Sequence, residues 1–163
     1  MIKEIFYTIL IVLIAITLGG LVYLFLPQIG GSSETMTIRI FFSNTYEDPE
    51  SFFCDTVYFV ERQIKKTETP IYSTIEEMLE GPNKIEKQGG FFTNIDDNVK
   101  IQNLSIQNGT ARIDFNKSLE QSAQGSCKTM GMVAQIIHTL KEFEEVDEVI
   151  ISIDGRTVDI LQP

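Results

Sequence analysis

The stretch Val99-Lys100-Ile101-Gln102-Asn103-Leu104-Ser105-Ile106-Gln107-Asn108-Gly109-Thr110-Ala111-Arg112-Ile113-Asp114-Phe115 carries the clearest local fold signal in the chain. Asn108-Gly109 tolerates the positive φ angles of a type I′ turn, the two-residue link whose twist matches antiparallel strands. On the return strand Ala111, Ile113 and Phe115 alternate with Arg112 and Asp114, so one face is apolar. On the outgoing strand Val99 and Ile101 are out of phase with Leu104 and Ile106, the change falling at Asn103. One extra residue there, a β-bulge, would keep all four apolar side chains on the core face.

Working outward, Met36 to Phe42 reads as a strand with Ile38 and Ile40 alternating against Thr37, Arg39 and Phe41. A polar loop with the turn signal Asp48-Pro49 leads to a second strand, Thr56 to Ile64, rich in β-branched and aromatic residues. Thr69-Pro70 reads as an N-cap followed by proline at the first helical position; Ile71, Ile75, Met78 and Leu79 share one helix face, and Gly81-Pro82 ends it. Residues 83–90 support no more than a short helical turn. After the hairpin, a helix over about 128–143 carries Met130, Val133, Ile136, Ile137, Leu140 and Phe143 as a wide apolar stripe expected to face the core. Val146 to Ile153 reads as the most buried strand, with Val158 and Ile160 as a short final piece. This order implies an α+β fold, a mixed β-sheet with two helices packed on one face.

Between Ile5 and Leu26 no residue is charged, and 22 residues suit a helix crossing hydrocarbon. Pro27 ends that helix. Leu21, Val22, Leu24, Phe25 and Leu26 directly follow the only small pair, Gly19-Gly20, which favours a retained anchor over a cleaved signal peptide. Lys3 precedes the helix and the first basic residue after it is Arg39, so the positive-inside rule puts the N-terminus in the cytoplasm and the rest outside. The expected organisation is a transmembrane anchor over 1–27, a flexible Gly/Ser tether over 28–35 and an extracytoplasmic domain over 36–163.

The chain has 13 basic and 23 acidic residues, a net charge of −10. Lys3 and Glu4 cancel, so the excess falls on the exported part, where no basic run offsets it. Such a surface repels phosphate backbones, and nucleic acid is not an expected partner. An oxidising exterior makes the even pair Cys54 and Cys127 read as a structural disulfide, worth about 4 kcal/mol across 73 positions in a chain-entropy model. In a reducing compartment the same pair reads as two buried thiols. Neither cysteine belongs to a C-x-x-C pair, and with His138 the one histidine, a zinc site would need distant carboxylates.

Certain fragments occur together in a definite order. Cys54-Asp55-Thr56-Val57 and Val60-Glu61-Arg62 precede Leu79-Glu80-Gly81-Pro82, then Gly90-Phe91-Phe92-Thr93 and Val99-Lys100-Ile101. Ile106-Gln107-Asn108-Gly109, Ile113-Asp114-Phe115, Gly125-Ser126-Cys127, Ala134-Gln135-Ile136 and Thr139-Leu140 follow. From Thr37 to the C-terminus this series resembles the GerMN domain of sporulation and spore-germination proteins. Phe59 stands where the family's strand has a proline, and Met130 to Val133 is more apolar than its usual helix start. The companion domain that often follows GerMN is not expected before Pro163. The resemblance implies a ring-building-motif-like fold, attachment by a lipid or a helix, and protein–protein contacts in the bacterial envelope. Family relatives are linked to a channel assembled between mother cell and forespore, or act beside a two-component sensor.

Catalytic groups are sparse. Glu61, Asp114, Asp154 and Arg156 lie on or near strands and are the candidate surface-site residues, but no spacing brings two carboxylates together. Asp154-Gly155 reads more simply as a tight turn, with Arg156 pairing to a carboxylate, and His138 as an exposed or capped helix residue, not a base. No Ser-His-Asp order, phosphate loop or His/Cys ligand cluster occurs, so neither an enzyme nor a cofactor is expected. The leading expectation is a membrane-anchored, non-enzymatic envelope module linked to sporulation or germination, with unnamed envelope protein partners and scope for a homo-oligomer. The alternative is a peptidoglycan hydrolase or a small-ligand envelope sensor.

Overall fold

The computed structural model describes residues 2–25, 34–50, 53–123 and 125–161, and the chain divides into two compact units, 1–33 and 34–163. The first holds α1 (Ile2–Phe25), 24 residues long. Its threonines satisfy their hydroxyls within the helix, Thr8 Oγ1 donating to the Ile5 carbonyl at 2.8 Å and Thr17 Oγ1 to that of Ile14 at 2.9 Å. Among the described residues no helix is long and apolar enough to cross a membrane. The expected transmembrane span is therefore not established by the structure; its last residue, Leu26, and tether residues 28–33 lie outside the described residues.

The second unit runs β1 (Thr35–Asn44), β2 (Tyr58–Lys65), α2 (Pro70–Leu79), α3 (Lys84–Gln88), β3 (Phe91–Phe92), β4 (Ile101–Gln107), β5 (Thr110–Phe115), α4 (Ser118–Ser122), α5 (Ser126–Lys141) and β6 (Glu148–Ile153). The fold is α+β as expected, but the single mixed sheet with two helices is corrected to two three-stranded sheets and several helices. One sheet has the order β2-β1-β3 and is antiparallel; the other has the order β4-β5-β6, with β5 antiparallel to β4 and parallel to β6. The two ladders share no strand. Ile38, Ile40 and Phe42 on β1, Ile75 and Met78 on α2, Ile113 and Phe115 on β5, and Met132, Ile136 and Leu140 on α5 form one core, and both α2 and α5 pack on β1.

The hairpin forms as its residues dictate. Asn108 and Gly109 have φ of 49° and 79°, the left-handed values that a type I′ turn requires. The β4–β5 register shifts between Ile101 and Asn103, which places the expected bulge at Gln102. The α2 boundaries also match, yet Thr69 makes no side-chain cap bond; its N–H and hydroxyl pair with the Thr67 hydroxyl instead. Asn83 and Glu86, by contrast, form a reciprocal capping box that lets the five-residue α3 exist.

Three expectations change at the C-terminal end. Helix α5 starts and ends two residues early, and its buried face is Met132, Gln135, Ile136, Thr139 and Leu140, while Met130 is 46% exposed. Two polar residues occupy core positions, which rotates the true stripe away from Met130, Val133 and Ile137. Strand β6 lies at a sheet edge, so Val149, Ile150 and Ile151 are half-buried and not the most buried strand. No strand forms at Val158, which is 71% exposed: Asp154 and Gly155 adopt left-handed φ, and the Ile153–Arg156 bridge turns the chain back after β6.

Candidate functional site

Strand β5 places Asp114 on the face opposite the core, paired in register with Ser152 of β6. Its Oδ1 accepts from the Ser152 hydroxyl at 2.5 Å and from the Gly155 backbone N–H at 2.9 Å. Gln102, the bulged residue of β4, donates to Asp154 Oδ1 at 2.9 Å, and Arg156 pairs with Glu120 of α4 at 2.7 Å. Asp114, Asp154 and Arg156 thus meet at the β5–β6 end as a tied turn, each engaged by a neutral donor or an exposed partner. Glu61 belongs to β2 in the other sheet, where it pairs across the strands with Arg39 at 3.1 Å. The four candidates do not converge into one acid–base centre.

Among the described residues, one largely buried charge is a residue that sequence reading left unassigned. Arg62 projects from β2 beneath α2 and α3 with 11% of its side chain exposed. It forms two bonds to Glu86, at 3.0 and 2.7 Å, one to the Glu77 carboxylate at 3.0 Å, and two to the carbonyls of Glu77 and Gly81 at 2.9 and 2.7 Å. Its guanidinium lies 5.6 Å from the centroid of the buried Phe42 ring. Burial opposes the charge on Arg62, but the bonds and charges of Glu86 and Glu77 outweigh it and raise its pKa. Burial likewise pushes the Glu86 carboxyl up, while the Arg62 bond, the Asn83 N–H and the Arg62 charge carry it below its ordinary 4.5. Capping α3 and pairing Arg62 are two jobs of one carboxylate.

A second buried polar group sets the phase of α5. Gln135 is fully buried; its Oε1 accepts from the Asn94 backbone N–H at 2.8 Å and its Nε2 donates to Thr93 Oγ1 at 3.1 Å. Asn94 in turn donates to Ser43 Oγ at 2.8 Å, and Thr139 accepts from the Phe41 N–H at 3.0 Å. Gln135→Leu keeps the volume but leaves the Asn94 N–H and Thr93 hydroxyl without that partner, so it is expected to cost about 1–3 kcal/mol in a denaturant titration.

Cys54 and Cys127 are joined by a disulfide, with Cα atoms 4.9 Å apart. The bridge fastens the loop before β2 to the first turn of α5 and borders a cleft of ≈ 350 Å³ with Ser43, Asn44, Asn94 and Lys128. Beside it lies an apolar groove of ≈ 470 Å³, lined by Met130, Val133, Ala134, Ile137 and Leu161 with Asp55 and His138 at its rim. The same face continues through Phe41, whose ring lies 5.5 Å from His138 and 6.1 Å from Phe59. His138 is exposed, as expected. Among the described residues no group of His, Cys, Asp and Glu is arranged to hold a metal ion. The exposed apolar face had a sequence signal, the Met130-Val133-Ile137 spacing, but that spacing was assigned to the core.

These features define an α+β domain of two small sheets, held by one disulfide and one buried arginine, and following an apolar N-terminal helix. The chain belongs to the Germane family, described as sporulation and spore germination, whose model matches residues 39–159. A structure of the tandem GerMN domains of the sporulation protein GerM from Bacillus subtilis is similar, with a TM-score of 0.60 and 22% identity over 81% of this chain and 43% of that one. The first GerMN domain of the same protein is similar with a TM-score of 0.55 and 17% identity, over 76% of this chain and 86% of that one. At these identities the likeness concerns the fold. The present chain spans less than half of the tandem-domain structure. No curated protein matches the chain.

Proposed function

We propose that this protein is a membrane-anchored, extracytoplasmic GerMN module that makes protein–protein contacts in an envelope assembly of sporulation or germination, without catalysing a reaction. The observation that carries this reading is the family match over residues 39–159. An uncharged run between Ile5 and Leu26, helical through Phe25, supports attachment to the membrane, and the Cys54–Cys127 disulfide supports an oxidising compartment. Anchoring would confine the domain to the membrane surface and raise its effective concentration for partners there. The apolar face around Met130, Val133 and Ile137 and the open sheet edges supply contact surface. The hydrolase alternative gains no support from geometry that puts Glu61 and Asp114 in different sheets.

Fusions of alkaline phosphatase and of a fluorescent protein after Pro163 test the location. Active phosphatase with a dark fluorophore is expected; the reverse pattern would end the anchored, exported reading. In-cell crosslinking during spore formation, followed by mass spectrometry, tests the contact role. Recovery of envelope proteins is expected, and digestion of purified peptidoglycan by the full chain would replace this reading with the hydrolase.

A further inference from the structure

The sheet edges are not equally protected. Strand β2 carries Glu61, Arg62, Gln63 and Lys65, β3 is two residues long, and β4 is broken by its bulge. Beyond β3, β1 gives its Phe41 N–H to Thr139 of α5. Charges, shortness and bulges are the devices that keep an edge from pairing with foreign chain. Strand β6, Glu-Val-Ile-Ile-Ser-Ile, has none of them after Glu148. Among the described residues β5 is its only strand neighbour, and the Ile153–Arg156 bridge closes just its far end.

The direction of the free backbone groups follows from the ladder. Glu148 and Asp154 donate their N–H groups to Gly109 and Phe115, so the even-numbered residues of β6 face β5. By alternation the N–H and C=O groups of Val149 and Ile151 point away from the sheet. Their side chains share the face of Ala111 and Ile113 and stay half-buried, covered by the core from one side only. An added strand would satisfy the backbone groups and complete that cover. The turn that leads into β6 carries Glu144, Glu145, Asp147 and Glu148, all exposed, while Glu142 before them pairs with Arg39 of β1.

We propose that β6 accepts an extended segment of another envelope protein as an added strand, with basic residues of that segment meeting Glu144, Glu145, Asp147 and Glu148. The proposal rests on the contact-module reading above and names where and what the module binds. Charge selects the occupant: a second copy would bring the same acidic run and a net charge of −10 to the edge. A segment with apolar side chains at alternate positions and lysines or arginines at one end matches both the backbone row and the acidic entrance.

The test uses the full chain in detergent micelles and two synthetic peptides, Lys-Lys-Thr-Val-Thr-Val-Thr-Val and its reverse, which place the charge for parallel and for antiparallel addition. At least one is expected to bind at micromolar concentration and slow amide exchange at Val149 and Ile151. Glu144→Lys with Glu145→Lys should weaken that binding roughly tenfold and restore it for the peptide with glutamates in place of lysines. Ile151→Pro removes an outward N–H without touching the β5 ladder and should abolish the protection. Failure of both peptides, protection confined to other residues, or a dimer of the free protein already protected at Val149 and Ile151 would overturn the proposal. Mislocalisation in cells would remove the anchored reading and leave this binding result standing, so the two failures are distinguishable.

Discussion

Replacing Arg62 with alanine is expected to lower the unfolding free energy by about 3–5 kcal/mol, the range for breaking a buried ion pair from one side. The loss follows from what remains behind. Glu86, 11% exposed, would keep a charge facing the space vacated by its partner, and the carbonyls of Glu77 and Gly81 would lose their donor. Arg62→Lys should recover only part of the loss, because one ammonium cannot span two carboxylates and two carbonyls with the guanidinium fork's geometry. The cluster also has a pH signature. With the Glu86 carboxyl held below its ordinary 4.5 in the folded state, its contribution is present above that value and fades as pH falls through the folded pKa. Arg62 is shifted the other way, and its contribution is lost only in strong base. Denaturant titrations at neutral pH and below pH 4.5 should show the native protein losing stability on acidification, with the acid-linked fall reduced in Arg62→Ala and Glu86→Gln. An unchanged midpoint in Arg62→Ala would show that the cluster is surface decoration.

What could be read from sequence was whatever the chain decides locally. Asn108-Gly109 fixes its own turn, the phase change at Asn103 fixes a bulge, and the alternation of Ile38 and Ile40 fixes which face of β1 is buried. Strand partnership is not local, which is why two sheets looked like one: nothing near β3 announces that it pairs with Ser43 and Asn44. The α5 stripe was misplaced for a chemical reason. Gln135 and Thr139 read as surface residues until Asn94 and Phe41, distant in sequence, supply the donors that make their burial tolerable. The same blindness hid Arg62, whose carboxylate partners lie 15 and 24 positions away. Among the candidate site residues, the Asp154-Gly155 turn and the pairing of Arg156 were legible, since turn chemistry is short-range. That Glu61 stands apart from Asp114 required knowing the sheets.

Cys54→Ser combined with Cys127→Ser is expected to destabilise the domain by about 4 kcal/mol, the loop-closure term for a 73-residue separation. For a folded unit of this size that is roughly a 15 °C fall in Tm. A second effect beyond restricting the unfolded chain is expected, because the bridge seats the loop before β2 on α5 at a point with no spare room. A Cβ built on Gly131 would stand 3.0 Å from the Cys54 carbonyl and 2.5 Å from Asn94 Nδ2. Gly131→Ala is therefore expected to destabilise the oxidised protein by displacing either the Cys54 loop or the Asn94–Gln135 bonds. In the serine variant the Cys54 loop is released and can yield, so the same alanine should cost less there. Thermal unfolding of the four proteins, wild type, double serine, alanine and triple variant, measures this coupling directly. Additive losses would mean that the bridge acts only on the unfolded chain. A smaller combined loss would mean that it also holds the Cys54 loop against α5, next to the apolar groove along Met130 and Val133, so that reduction would reshape a contact surface as well as weaken the fold.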